Sequence, residues 1–365
     1  MMAAKMSLTQ ETILTELSSV KDPASGRSLV ADLLISNIKI EAGKVSLTVG
    51  LITPSHPSKI EIGSKIEEIL KGMDGVAEVD IDFSLQVPSD GRPRGGQGNH
   101  IRTAIAVASG KGGVGKTTVA VNLAVALAEA GARIGLLDAD VYGPNVPLMM
   151  GVPDAHIQPD PSGRMEPILA HGVKIMSIGF LVNREQPIIW RGPMLHSAIR
   201  QFVDDVNWGE IDYLIIDLPP GTGDAQLSMA QILAVTGGLI VTLPQQVSLD
   251  DARRGLEMFN QLQVPILGIV ENMSYLELPD GSRSEIFGSG GGEKLASQTG
   301  MAYLAGIPMD PAVRVGGDEG IPIVIAQPDC AASQALRSIA KQLALKASLQ
   351  ALDLQKGAIP VKIVN

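Results

Sequence analysis

Gly110-Lys111-Gly112-Gly113-Val114-Gly115-Lys116-Thr117-Thr118 decides how this chain is read. The stretch follows an apolar run with strand character, Ala104–Ala108, and leads into a helical pattern from Val119 to Ala130. Its spacing of glycine, lysine and hydroxyl is that of a phosphate-cradling loop between a strand and a helix. Glycines let backbone N–H groups curl around phosphate, Lys116 brings a point charge to the β- and γ-phosphates, and the Thr117 hydroxyl is placed to ligate Mg2+ at the helix N-terminus. Gly110, Lys111, Gly112, Gly113, Val114, Gly115, Lys116, Thr117 and Thr118 are therefore the candidate nucleotide-binding residues. A plain glycine-rich turn would not need every position of the pattern to be filled in this context.

Two further segments supply acids. Ile134–Leu137 leads into Asp138-Ala139-Asp140, and Tyr213–Ile216 leads into Asp217-Leu218-Pro219-Pro220-Gly221-Thr222-Gly223-Asp224. Both place carboxylates just past the C-terminal ends of apolar strands, where ligands sit in open α/β sheets. Asp217 reads as the acid that orients Mg2+ through water, and Gly221 as a backbone N–H for the γ-phosphate. Turn and helix-cap chemistry is the competing explanation for Asp-x-Asp after a strand. Gly288–Lys294 lacks the Gly-Lys-Ser/Thr ending of a phosphate loop and reads instead as the opening of a helix.

Around this centre the pattern alternates. Strand candidates at Ala104–Ala108, Ile134–Leu137, Tyr213–Ile216, Leu239–Leu243, Ile266–Val270 and Tyr303–Gly306 are separated by helical stretches, which calls for βαβ units with a mostly parallel sheet. The fold class is α/β, a P-loop NTPase sheet flanked by helices, with a small N-terminal α+β domain. That domain, 1–86, reads as α-β-β-α-β from Gln10–Val20, Leu29–Ile40, Val45–Ile52, Ile60–Leu70 and Val76–Phe83. A Gly/Pro-rich linker follows over 87–101, with no apolar residue from Pro88 to Gly98 able to anchor it in a core. The NTPase domain is expected over 102–352, closing on the helical stretch Gln334–Leu352, with a tail over 353–365.

Composition narrows the function. Lys and Arg number 29 against 39 Asp and Glu, a net charge of −10 that disfavours a nucleic-acid-wrapping protein. The modest basic excess near Lys341 and Lys346 gives little support to a DNA or membrane surface. With no long apolar run, no membrane span is expected, and a cytoplasmic, reducing location is the plain reading. Cys330 is the one cysteine in the sequence, so no intramolecular disulfide can form. His56, His100, His156, His171 and His196 show no metal-ligand spacing.

Lys111 stands inside the loop where the general pattern demands nothing. With it, the loop resembles the deviant Walker A motif of the MinD/ParA/nitrogenase-iron-protein class, whose members dimerise around nucleotide. Asp138-Ala-Asp-Val-Tyr-Gly-Pro-Asn-Val-Pro147, Trp190-Arg-Gly-Pro193, Asp217–Asp224, Glu271-Asn-Met-Ser-Tyr275 and Ile286–Lys294 together are similar to the Mrp/ApbC family. Val20-Lys21-Asp22-Pro23 and Met73-Asp74-Gly75-Val76 resemble the small domain of iron–sulfur assembly factors. The resemblance implies a homodimeric ATP hydrolase using ATP and Mg2+, which carries iron–sulfur clusters to apoprotein clients or works with assembly factors. It implies that Lys111 reaches the partner's phosphates, so that Lys111, Lys116 and Asp140 are the catalytic candidates, Asp140 orienting the attacking water. Thr117, Asp138 and Asp217 would form the metal surroundings, and Asn272 would read the adenine edge, with Pro308 and Met309 flanking the base.

The chain departs from that family at the thiols. Relatives place a Cys-x-x-Cys pair shortly after Met-Ser-Tyr, where Leu278 and Gly281 stand here, and a Cys after Thr-Pro-x, where Thr53-Pro54-Ser55 is followed by His56. No iron–sulfur ligand is identified, Cys330 reads as a small buried filler, and an adaptor or chaperone without its own Cys-ligated cluster becomes the alternative. A ParA/MinD-like positioning switch is the more distant one.

Overall fold

The computed structural model describes residues 8–96, 98–141, 143–181 and 192–357. Tyr142, Trp190, Arg191 and residues 358–365 of the expected tail lie outside them, as does the side chain of His196. The chain divides into two compact units at Val87/Pro88.

In the first unit, α1 (Gln10–Leu17), β1 (Ile35–Glu41), β2 (Lys44–Leu51), α2 (Lys59–Lys71) and β3 (Glu78–Leu85) follow the expected order. β1 pairs antiparallel and β2 parallel to β3 about a central β2. Ile62, Ile66 and Leu70 recur at helical spacing in α2 and are buried, as are Ile13 and Leu17 of α1. The strand expected from Leu29 begins only at Ile35, because 29–34 forms turns with Leu33 at φ +57°.

The second unit runs β4 (His100–Ala108), α3 (Lys116–Glu129), β5 (Ile134–Asp138), α4 (Val146–Met149), β6 (Ile168–Ala170), β7 (Val173–Ser177), α5 (Gly192–Asp204), β8 (Glu210–Asp217) and α6 (Asp224–Ile232). It continues β9 (Gly237–Thr242), α7 (Gln246–Gln261), β10 (Ile266–Glu271), β11 (Leu276–Glu277), β12 (Arg283–Ser284), α8 (Gly291–Thr299), β13 (Tyr303–Gly306), α9 (Pro311–Glu319), α10 (Ile323–Ala326) and α11 (Ala331–Gly357). Among the described residues eight strands form one sheet in the order β13-β10-β9-β4-β8-β5-β7-β6, parallel except for the edge strand β6. The order jumps either side of β4, and such crossover points are where open α/β sheets bind ligands. Every residue of β5 and β9 is buried, as a sheet covered on both faces requires. α3 is apolar nearly all round because α11 and the sheet cover it.

The segment from Pro88 onward is anchored, contrary to the flexible linker expected of it. Its anchors are polar. Asp90 and Arg94 are both buried and paired, Arg94 Nε donates to the Ala234 carbonyl at 2.9 Å, and the Thr236 hydroxyl donates to Asp90 at 2.6 Å. Apolar periodicity does not reveal this, since a buried, hydrogen-bonded ion pair takes the place of apolar anchors.

Candidate phosphate-binding site

Parallel pairing builds the site. In register, Asp138 at the end of β5 stands opposite Asp217 at the end of β8, and Val107 of β4 stands opposite Asp217 on the other side. The loop leaving β4 thus meets both acids. Gly115 caps α3 in the left-handed region at φ +82°, and a Cβ there would come within 2.2 Å of the Asn272 side-chain nitrogen. Gly110 is equally constrained, because its Cβ would fall 2.1 Å from the main chain of Asp251 in α7.

From this loop Lys116 Nζ donates to Asp217 Oδ1 at 2.6 Å and stands 3.8 Å from Asp140 Oδ2. The Thr117 hydroxyl donates to the other Asp217 oxygen at 2.7 Å. Lys116, Asp140 and Asp217 are all buried, so the lysine charge is balanced by carboxylates in a medium that screens weakly. Asp138 is fully buried behind them. Burial, reinforced by the neighbouring Asp217 charge, pushes the Asp138 carboxyl well above the usual carboxylate range. It accepts from the Ser177 hydroxyl at 2.8 Å and from the Asp140 N–H at 3.1 Å. Asp138 therefore braces the Asp140 loop. Ser177, at the end of β7, escaped the sequence reading because β7 carries no motif.

The loop opens on a cleft of about 880 Å³, in the upper part of the range typical of small-molecule pockets. Lys111, Lys116, Thr117, Asp140, Asn272, Pro308 and Met309 line it, so residues from β4–α3, β5–α4, β10 and β13–α9 come together there. Asn145 and Met149 of the segment after Asp140, and Val313 and Arg314 of α9, also line it without having been singled out. Gly112 and Gly113 are exposed, Lys111 is half-buried, and among the described residues Lys111 makes no ion pair. Two of the expected donor groups bond to main-chain carbonyls. The Gly221 N–H donates to the Ser109 carbonyl at 3.1 Å, and the Asn272 side-chain N–H donates to the Val114 carbonyl at 2.8 Å.

A threonine hydroxyl and carboxylates gathered around one lysine at a helix N-terminus form an all-oxygen donor set of the kind Mg2+ takes alongside substrate phosphates. Among the described residues no three His, Cys, Asp or Glu side chains make a metal cage of their own. β11 and β12 form a short hairpin in which Leu278 is 37% exposed and closes a turn with Ser282 and Gly281. It offers no thiol. Cys330 is half-buried rather than a core filler, and its sulfur accepts from the Ser333 N–H at 3.4 Å at the start of α11. The Gly288–Lys294 stretch does open a helix, and the Gly292 N–H donates to the buried Glu271 carboxylate at 2.6 Å.

This geometry defines a P-loop NTPase with a mostly parallel sheet. Residues 100–344 match the ParA family described as NUBPL iron-transfer P-loop NTPase, and residues 10–81 match the iron–sulfur cluster assembly protein family. The chain is 49% identical over 352 residues to the iron–sulfur cluster carrier protein of Synechocystis sp., covering 94% of this chain and 99% of that one. It is 46% identical to the iron–sulfur cluster carrier protein of Deinococcus radiodurans, covering 96% and 99% respectively. Among solved structures, a nucleotide-binding protein of Archaeoglobus fulgidus in complex with ADP is 38% identical, with a TM-score of 0.56 over 63% of this chain and 90% of that one. The chain belongs to the NUBPL/ParA family of iron-transfer P-loop NTPases, joined to an iron–sulfur assembly domain. Among the described residues no helix is long and apolar enough to cross a membrane.

Proposed function

We propose that this chain is a Mg2+-dependent ATPase of deviant Walker A type, working as a cytoplasmic homodimer that delivers iron–sulfur clusters to apoproteins. The observation that carries the ATPase reading is the convergence of Lys116 and Thr117, which line the cleft, on the buried Asp217 behind them. In that reading the phosphate chain lies along the N-terminus of α3, and Lys116 exchanges Asp217 for the β- and γ-phosphates. Thr117 and Asp217 would hold Mg2+, which would supply positive charge against the phosphates. Asp140, on the cleft wall, orients the water that attacks the γ-phosphorus. Lys111 of a second copy adds charge to the γ-phosphate as the bond to ADP breaks, with no covalent enzyme intermediate. Pro308 and Met309 flank the base. ATP turnover by purified chain with Mg2+ and with EDTA tests this reading, and turnover that ignores EDTA would remove the metal from it.

The thiol inventory favours a second reading of the cargo step. With Leu278 and Gly281 on the hairpin and Cys330 at the start of α11, the chain cannot present four thiolates from two copies at one seam. An ATP-driven adaptor that helps a client acquire its cluster needs no such ligands. Anaerobic iron and sulfide counting on freshly purified chain separates the two, a stoichiometric cluster selecting the carrier and none selecting the adaptor.

A further inference from the structure

Val114 sits between two glycines in the left-handed region, Gly113 at φ +79° and Gly115 at φ +82°. Glycine adopts either sign of φ at little cost, so nothing intrinsic to this sequence fixes which way the peptide planes of the loop face. In a planar trans peptide the C=O and the following N–H point in opposite directions. Whatever pins the Val114 carbonyl therefore also aims the Gly115 N–H. The pin is Asn272, whose side-chain N–H donates to that carbonyl at 2.8 Å.

Asn272 is itself held rigidly. Its backbone N–H donates to the Thr242 carbonyl of β9 at 2.8 Å, and two residues on the Ser274 N–H donates to Ile307 at 2.9 Å. The buried Glu271 carboxylate accepts from the Ser274 hydroxyl at 2.5 Å and from the Gly292 N–H at 2.6 Å, tying the end of β10 to α8. Asn272 is 7% exposed and Val114 1%, so solvent competes little for the bond between them. The amide lies flush against the loop because position 115 has no Cβ.

We infer that Asn272 is a positioning residue for the phosphate loop, holding the Val114–Gly115 peptide so that the loop's N–H groups are preorganised for phosphate, whatever base the nucleotide carries. This rests on the nucleotide-binding reading above and deepens it. The role expected of Asn272 from the sequence is reading the adenine edge; one of its two amide N–H groups is given to the loop, and the second N–H and Oδ1 take no part in that bond.

The test uses ligands with and without a base. Binding of ATP, GTP and inorganic tripolyphosphate, each with Mg2+, is measured by calorimetry for the parent, Asn272→Ala and Asn272→Asp, well below the melting temperature of each. Asn272→Ala is expected to weaken all three ligands by the same factor, on the order of tenfold, because the loss is in the loop. Asn272→Asp, which turns a carboxylate oxygen toward the Val114 carbonyl, is expected to weaken them further. Asn272→Ser, polar but too short to reach Val114, replaces the alanine variant if that one fails to fold. A loss confined to ATP with tripolyphosphate binding kept would overturn the inference in favour of base reading. Parent-like binding of all three would overturn it as well, by reducing the hydrogen bond to fold stability alone. A parent that binds none of the three would instead sink the nucleotide reading itself.

Discussion

Each unit of the molecule makes a strand-to-helix turn that buries a basic side chain against an aspartate, and the turn between β4 and α3 lines the large cleft. Between β4 and α3 the turn is glycine-rich, Lys116 meets Asp217, and the cleft opens above it. Between β2 and α2 the turn is Thr53-Pro54-Ser55-His56-Pro57-Ser58, and His56 Nε2 stands 3.3 Å from Asp22 with side chains only 1% and 3% exposed. His56 Nδ1 accepts from the Ser58 N–H at 3.2 Å, and Nε2 is turned toward Asp22. The Nδ1 lone pair is thus taken by the backbone, while Nε2 stands beside Asp22 in a buried setting. Buried charge alone does not make a site; it must also border space that a ligand can enter, with donors left to offer.

Loss of Lys116 should break the comparison most violently. Lys116→Ala is expected to lower ATP turnover by at least about 100-fold, since a charge aimed at the phosphates goes. It also strands the Asp217 carboxylate in a buried setting, at a cost of about 3 kcal/mol. Adding Asp217→Asn should restore most of that stability and none of the turnover. Thermal melting beside a phosphate-release assay reads both, and a double variant that hydrolysed ATP would show that the pair is structural like its counterpart in the small unit.

Lys111 sharpens the contrast in another way, because it is the loop's charge without an ion-pair partner among the described residues. Lys111→Ala is expected to cut kcat by tens of fold while nucleotide affinity stays within about threefold, as a group acting in the transition state would. Equal loss in both quantities would make it an ordinary binding lysine.

The small unit should answer only in stability. Burial pushes the Asp22 carboxyl up, but the His56 ring and the Ala24 N–H together hold it below its ordinary 3.8. A depressed carboxyl lends stability above its ordinary value and loses it as pH falls through the folded one, so this contribution fades below about pH 3.8. Asp22→Asn is expected to cost about 2 kcal/mol near neutrality, and less in acid, with ATP turnover unchanged. A turnover defect at a temperature where the variant is folded would mean that this turn, too, belongs to a site.

The legible parts of the molecule were those where local chemistry leaves no choice. Gly110–Thr118, the alternation of β4, β5, β8, β9, β10 and β13, and the acids at the ends of β5 and β8 are each dictated within a few residues of sequence. What stayed hidden depends on partners far along the chain. Ser177 bracing Asp138, Thr236 and Ala234 receiving Asp90 and Arg94, and Asn272 reaching Val114 are polar bonds between distant segments, and such bonds leave no period in a sequence. β6 and β7 were missed because 168–177 is short and is broken at His171, which turns at φ +48°.

Cys330 is expected to matter least, and that small effect bears on the cargo. Its sulfur accepts from the Ser333 N–H, the bond a helix N-cap makes, and its exposure is partial. A serine oxygen is a stronger acceptor in the same position, and serine is among the preferred N-cap residues. Cys330→Ser should therefore leave the melting temperature unchanged or raise stability by a few tenths of a kcal/mol. ATP turnover should not move, because the residue does not line the cleft. Iron and sulfide counts after anaerobic reconstitution should equal the parent's, since one thiol per chain at a helix start supplies no four-thiolate cage. If the parent holds a stoichiometric cluster and Cys330→Ser loses it, two copies must bring their Cys330 side chains together, and the adaptor reading would give way to a carrier with a new cluster seam. If the cluster survives in Cys330→Ser, its ligands are non-thiolate or come from outside the chain.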